Sequence, residues 1–141
     1  MLAAQNRLPR HLAIIMDGNG RWAQARGLSR LQGHQEGAKR VREIVTHAAE
    51  VGISVLTLYA FSSENWKRPR DEVAGLMQLL TDYVVGEEST LRDQHIRLST
   101  IGDVKKLPRA VRAVLLALCR RTARLDRMRL VLALSYGGRD E

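Results

Sequence analysis

The sequence predicts a single α/β domain built on a parallel β-sheet with helices on both faces. Four apolar runs of strand length are separated by segments in which apolar residues recur with helical periodicity. Strands that alternate with helices are typical of right-handed crossovers and of a parallel sheet. Two of the runs, LAIIM and VLTLYAF, are apolar almost throughout. This composition is typical of strands that are buried on both faces.

The predicted elements alternate along the whole chain, beginning and ending with a strand. A first helix follows His34 and ends at Gly52, where glycine is a favourable C-terminal cap. A second begins at Asp71, and a third begins near Pro108, because proline is tolerated in the first turn. The predicted strands are Leu12–Met16, Val55–Phe61, Ile96–Ile101 and Leu130–Ser135.

Composition restricts the classes of partner and site. The 141 residues carry 23 Lys and Arg against 15 Asp and Glu, a net charge of +8. This charge favours an anionic partner, whether phosphate groups, nucleic acid or a membrane surface, although a solvated basic surface also accounts for it. Cys119 is the only cysteine, so we expect no disulfide and a buried thiol. We expect a cytoplasmic protein, with peripheral contact at a membrane left open.

The segment DGNGRW follows the first predicted strand and carries the strongest chemical signal. Gly18 and Gly20 allow the backbone to approach a ligand closely. Arg21 can bind phosphate oxygens through two parallel hydrogen bonds, and Asp17 is an oxygen ligand suited to Mg²⁺ beside a diphosphate. The tetrapeptide DGNG is also an ordinary turn, and this reading stays open.

Two further polar groups extend the candidate anion site. Arg30 and His34 are four residues apart and would share a face of a helix. With Arg21 they could neutralise a diphosphate. Taken alone, His34 is better explained as a helix cap or a partly buried histidine than as an anion ligand.

The segment SSENWKRP follows the second predicted strand. It offers the hydroxyls of Ser62 and Ser63, the amide of Asn65, the indole of Trp66 and the cation of Arg68. Ligands of open parallel sheets bind beyond the carboxyl ends of the strands, where this segment lies. Without further context it is a strand-to-helix loop.

Five segments, taken together, resemble the cis-prenyltransferases, the family of bacterial undecaprenyl diphosphate synthase and related isoprenyl transferases. The segments are HLAIIMDGNGRWAQARGL, GHQEGA, LTLYAFSSENWKRPRDEV, IGD and YGGRDE. The resemblance spans roughly residues 10–141. It implies condensation of isopentenyl diphosphate with an allylic diphosphate such as farnesyl diphosphate, giving a cis-polyprenyl diphosphate. It also implies a Mg²⁺ cofactor and a homodimer.

The resemblance assigns roles to individual positions. Asp17 resembles an essential aspartate that acts with Mg²⁺, and Asn65 resembles a residue that assists catalysis. The positions matching the family's substrate-binding residues are Gly18, Asn19, Gly20, Arg21, Trp22, Arg30, His34, Phe61, Ser62, Ser63, Asn65, Trp66 and Arg68. For the apolar chain of the product, Leu58, Val73, Met77 and Leu80 are candidate linings, with core packing as the alternative.

The chain is shorter than is usual in this family. We expect residues 1–141 to form a single, incomplete domain that lacks the last strands and the basic motif for isopentenyl diphosphate. Smaller departures are Leu125 and Ser135, where the family usually has Asn. The alternative function is a non-catalytic remnant or partner subunit that binds an allylic diphosphate or a full-length synthase. We expect no nucleic-acid binding, because no recognised motif is present and aromatic residues make up only 4% of the chain.

Overall fold

A computed structural model describes residues 7–137, which form one four-stranded parallel sheet with helices. The predicted fold class is confirmed. The strands are β1 (His11–Ile15), β2 (Val55–Ser62), β3 (Ile96–Ile101) and β4 (Met128–Tyr136). The helices are α1 (Asn19–Gln24), α2 (Arg30–Val51), α3 (Arg70–Asp93) and α4 (Arg109–Arg121), with short 3-10 turns at Ser63–Lys67 and Val104–Lys106.

The sheet order is β1-β2-β4-β3, and every neighbouring pair is parallel. The last strand in the chain therefore lies inside the sheet, and its residues Leu130–Ser135 are all buried. The expectation of burial on both faces is wrong for β1, whose side chains alternate in exposure. Leu12 and Ile14 pack against the core, whereas the Ile15 residue is 76% exposed. Within residues 7–137, only one face of this edge strand therefore packs against the core.

Local capping sets the ends of α2, which positions two candidate residues. The Ser29 backbone N–H donates to Gln32 Oε1 at 2.8 Å, and the Gln32 N–H donates to Ser29 Oγ at 3.1 Å. This reciprocal cap starts the helix at Arg30, four residues earlier than the predicted start at His34. Gly52, with φ of +97°, ends α2 as predicted. Helix α1 was not predicted as a separate element.

The core joins the sheet to α2, α3 and α4 in one apolar cluster. Because all strands are parallel, their carboxyl ends meet at one edge, and the loops after β1 and β2 both lie there. The cluster holds those loops on a rigid base. Its largest fully buried apolar side chains are Val45, Leu56, Leu58, Leu91, Ile96, Leu98, Leu115, Leu118, Met128, Leu130 and Leu134.

Candidate active site

The turn after β1 places a charged pair at the rim of the sheet. Gly18 has φ of +89° and precedes the first residue of α1. The Gly18 N–H donates to Asp17 Oδ1 at 2.7 Å, and Arg21 Nη2 lies 3.3 Å from Asp17 Oδ2. The Asp17 side chain is 78% exposed and the Arg21 side chain is 75% exposed. Both charges are therefore open to a ligand from solvent.

Three glycines allow this turn to pack directly against α2. A Cβ on Gly33 would overlap the backbone carbonyl of Asn19, and a Cβ on Gly37 would overlap the Asn19 side chain. A Cβ on Gly20 would lie 2.9 Å from the Arg30 guanidinium carbon. No role was predicted for Gly33 or Gly37 from the sequence. Their spacing of four residues on one helix face is the signal that could have identified them.

An inner charged cluster joins α2 to α3. Arg30 Nε donates to Glu72 Oε1 at 3.0 Å, and His34 Nε2 lies 3.4 Å from the same oxygen. The Glu72 side chain is only 10% exposed. Burial raises the pKa of the Glu72 carboxyl, but hydrogen bonds from Arg30 and His34, with the charges of Arg30 and Arg68, outweigh it. The net pKa lies below the ordinary value, so Glu72 is ionised at neutral pH.

Sequence reasoning placed Arg30 and His34 on one helix face, and the structure confirms that placement. The sequence did not predict a role for Glu72, which lies 42 residues after Arg30. No local spacing relates the two positions. The contact exists because the first turn of α3 packs beside the first turn of α2.

The segment after β2 is held against the end of β4. Asn65 Oδ1 accepts a hydrogen bond from the Ser62 N–H at 2.8 Å, which closes the 3-10 turn. Trp66 Nε1 donates to Ser135 Oγ at 2.9 Å. The Trp66 and Phe61 rings pack edge-to-face, with 4.7 Å between their centroids. Ser135 has φ of +53°, a conformation that is costly for serine. The catalytic role of Asn65 stays a prediction beside this capping contact.

The remaining candidate residues differ in where they lie. Ser62 is exposed, Ser63 is half-buried, and Arg68 is exposed beside Glu72. The Trp22 residue is 39% exposed, with the Arg26 guanidinium 4.4 Å from its ring centroid. Trp22 does not line the cavity described below, so its predicted substrate contact would have to be made at the rim.

An apolar cavity of about 140 Å³ opens between α2, α3 and the sheet. Asn19 and His34 are the polar residues at its α1–α2 end. Its volume is close to the ~150 Å³ of apolar cavities that accept a benzene-sized molecule. Val73 is absent from this lining and borders a separate cleft between α3 and α4. The lining includes the predicted Leu58, Met77 and Leu80, together with Met16, Val41, Phe61, Leu76, Leu79, Tyr83, Leu132 and Leu134.

A buried polar group borders this cavity. The Tyr83 hydroxyl and Glu87 Oε2 are buried without a hydrogen-bond partner among the described residues. Glu87 Oε1 accepts a hydrogen bond from Arg42 Nε. Burial and the nearby Glu87 carboxylate raise the pKa of Tyr83, so its hydroxyl stays protonated. Sequence reasoning assigned neither residue, because helical periodicity places both simply on a buried face.

The donor chemistry of Asp17 fits a magnesium ion. Within residues 7–137 no group of three or more His, Cys, Asp or Glu side chains lies close enough to hold a metal. Mg²⁺ is commonly bound by one or two carboxylates, with substrate phosphates and water completing its shell. Asp17, an exposed carboxylate beside Arg21 and Gly18, matches a site of that type, in which the protein supplies a single carboxylate.

Three other predictions have separate outcomes. In the described part of the chain, no helix has the length and apolar character needed to cross a bilayer. Cys119 is half-buried, and burial raises the pKa of its thiol, which argues against a reactive thiolate. The segment YGGRDE continues into residues 138–141, which lie outside the described residues.

Comparisons with known proteins agree on one family. Residues 15–141 match the prenyltransferase family model described as "Putative undecaprenyl diphosphate synthase". The isoprenyl transferase of Clostridium tetani is 48% identical over 96% of this chain and 53% of its own length. The isoprenyl transferase of Zymomonas mobilis is 52% identical over 95% of this chain and 54% of its own length. The chain thus spans about half the length of the curated relatives it matches.

A solved structure is also similar. It is lavandulyl diphosphate synthase from Lavandula x intermedia in complex with dimethylallyl diphosphate, with a TM-score of 0.91 and 34% identity. The match covers 94% of this chain and 57% of that protein. The sequence match, the parallel sheet and the clustered DGNGR, Arg30 and His34 together show that this chain belongs to the undecaprenyl diphosphate synthase family of prenyltransferases.

Proposed function

We propose that this chain forms the allylic-diphosphate site of an isoprenyl transferase. The reaction condenses isopentenyl diphosphate with an allylic diphosphate such as farnesyl diphosphate and yields a cis-polyprenyl diphosphate. One observation carries the proposal: His34, which lines one end of an apolar cavity, also belongs to the basic cluster that it forms with Arg30 around Glu72. An allylic diphosphate has this same division between an anionic head and an apolar tail.

The cationic residues would bind the diphosphate. Arg21 reaches it from the exposed rim, while Arg30 and His34 approach from α2. The isoprenoid chain would enter the cavity from the end that Asn19 and His34 line, and the apolar walls, Phe61 among them, would exclude water from the tail. The volume suits about one isoprene unit, so a longer chain would require the cavity to open further. The complex of the lavender enzyme with dimethylallyl diphosphate supports an allylic ligand.

The chemistry follows from the charge that develops. When the allylic C–O bond breaks, negative charge builds on the departing diphosphate, and fixed guanidinium groups stabilise that charge. A bound Mg²⁺ supplies further stabilisation of the leaving group. Asp17 would hold the ion, and its position beside Arg21 places both on the same side of the turn. Asn65 is the second residue that we propose to take part in catalysis.

Further properties belong to the same proposal. We propose that residues 1–141 form a single domain and that the functional protein is a homodimer. We also propose a cytoplasmic location with peripheral contact at the membrane, which suits an apolar product. Each follows from membership of the family.

A titration with dimethylallyl diphosphate and farnesyl diphosphate in the presence of Mg²⁺ tests the site. Asp17→Ala and Arg21→Ala should each weaken binding about tenfold or more. Arg40→Ala, an exposed arginine on α2 that lies outside the site, is the matched control and should bind normally. Binding that neither site substitution weakens would refute the site assignment.

A second assay separates catalysis from binding alone. Labelled isopentenyl diphosphate is added to the allylic diphosphate complex, and incorporation into a polyprenyl product is measured. Incorporation supports the transferase. Tight binding without incorporation supports the alternative, a non-catalytic remnant or partner subunit.

A further inference from the structure

We infer that Glu72 is a positioning residue for the diphosphate site, which it serves by orienting Arg30. The inference rests on the proposed function, because it concerns how the same anion would be bound. Glu72 lies in the first turn of α3, and neither the family motifs nor the local sequence pattern assigned it a role.

The atoms that make the contact carry the argument. Glu72 Oε1 accepts from Arg30 Nε, the nitrogen nearest the side-chain stem. Among the described residues, the Arg30 guanidinium makes its hydrogen bond through Nε, and its two terminal nitrogens have no hydrogen-bond partner. A guanidinium held through Nε keeps its terminal pair available as a fork, and such a fork matches two phosphate oxygens.

A second constraint acts on the same guanidinium. A Cβ at Gly20 would lie 2.9 Å from Arg30 Cζ and 3.0 Å from Nη2, so the group rests on the bare Gly20 backbone. Gly20 belongs to the turn proposed to receive the diphosphate. Arg30 is therefore held between a carboxylate and the anion loop.

The burial of the carboxylate makes the contact persistent. The Glu72 side chain is 10% exposed, compared with 78% for Asp17. Removal of a partner from a buried, hydrogen-bonded charge pair costs more than the same change at the surface. Arg30 would otherwise sample many rotamers, and binding would have to order it.

The inference predicts an effect opposite in sign to simple electrostatics. Removal of a negative charge beside an anion site should tighten anion binding if charge alone matters. If orientation dominates, the same removal weakens binding. Titrations with inorganic pyrophosphate and with dimethylallyl diphosphate, both with Mg²⁺, distinguish these outcomes.

We expect Glu72→Ala to weaken the binding of both ligands about tenfold, equivalent to about 1.4 kcal/mol of binding free energy. Glu72→Gln keeps an acceptor oxygen for Arg30 Nε and should restore most of the affinity. Glu36→Ala is the control, because Glu36 is an acid on α2 that pairs with Lys39 and Arg40 away from the site. It should leave binding unchanged.

Two further measurements separate orientation from general damage to the fold. The Arg30 Nε–H resonance should shift in Glu72→Ala and stay close to its wild-type position in Glu72→Gln. In an Arg30→Gln background, Glu72→Ala should add little further loss of affinity. If Glu72→Ala does not fold, Glu72→Asp withdraws the carboxylate while keeping its charge and should still weaken binding.

The outcomes are distinguishable. A folded Glu72→Ala or Glu72→Asp protein that binds pyrophosphate as tightly as wild type overturns the inference and leaves the proposed function standing. The inference is also overturned if Glu72→Ala weakens binding as much in the Arg30→Gln background as it does in the wild-type protein. A wild-type protein that binds neither ligand overturns the proposed function and the role of Glu72 with it.

Discussion

The site contains two carboxylate–arginine pairs that differ in exposure and in origin. Asp17 and Arg21 lie four residues apart at one turn, and both are more than 70% exposed. Glu72 and Arg30 come from different helices, with exposures of 10% and 34%. Exposed pairs contribute little to stability and exchange partners readily, whereas a buried pair fixes geometry. The outer pair is therefore suited to meeting a ligand, and the inner pair to holding the site in shape.

The largest effect should come from separating the two pairs. Gly33→Ala places a methyl group against the Asn19 carbonyl, so α1 must move away from α2. We expect the free energy of unfolding to fall by about 3 kcal/mol, at the upper end for overpacking. Urea denaturation measures the change.

Gly86→Ala is the matched control for this substitution. Gly86 also lies inside a helix, and a Cβ there would make only an ordinary contact, 3.7 Å from Arg42 Nη2. The change should stabilise the protein by about 0.5–1 kcal/mol, because alanine favours helix. Equal destabilisation by both substitutions would show that the α1–α2 contact is not specifically tight.

A direct comparison of the two carboxylates sharpens the contrast. Glu72→Ala should lower the free energy of unfolding by about 2 kcal/mol, because it removes hydrogen bonds between a buried carboxylate and two basic groups. Asp17→Ala should change it by less than about 0.5 kcal/mol. Denaturation of the two variants under one condition is sufficient. Similar losses in both would remove the distinction between outer and inner pairs.

A third contact tests whether the interior of the site is rigid beyond the charged groups. Ser135→Ala removes the acceptor of the Trp66 indole N–H and should cost about 1 kcal/mol. The Trp66 fluorescence should shift as well, and a Trp22→Phe background isolates that signal. An unchanged spectrum would mean that this hydrogen bond does not hold the segment Ser63–Lys67 in place.

The smallest effect is a dependence on pH. The pKa of Glu72 in the folded protein lies below its ordinary value of 4.5. Its stabilising contribution is therefore complete above that value and is lost as pH falls through the folded pKa. The stability difference between wild type and Glu72→Gln should narrow as pH falls from about 6 to about 3. A difference that stays constant or widens over this range would contradict the assignment.

Local features of the site could be predicted from the sequence. The outer pair lies within one turn, and the Arg30–His34 face follows from helical spacing, so both depend on neighbours in the chain. Glu72 could not be predicted, nor could the contact between Trp66 and Ser135, which are 69 residues apart. Such pairs form only when separate elements pack, and no short pattern encodes which residues will then meet.

The sequence by itself determined the alternation of strands and helices, the parallel class of the sheet and the polar loops at its edge. Periodicity and turn residues act over a few positions, and they are sufficient for these features. Only the tertiary structure decided that β4 lies inside the sheet and that β1 leaves Ile15 exposed. It also decided that Glu72 reaches Arg30. These outcomes depend on the packing of the whole chain, in which distant segments compete for the same neighbours.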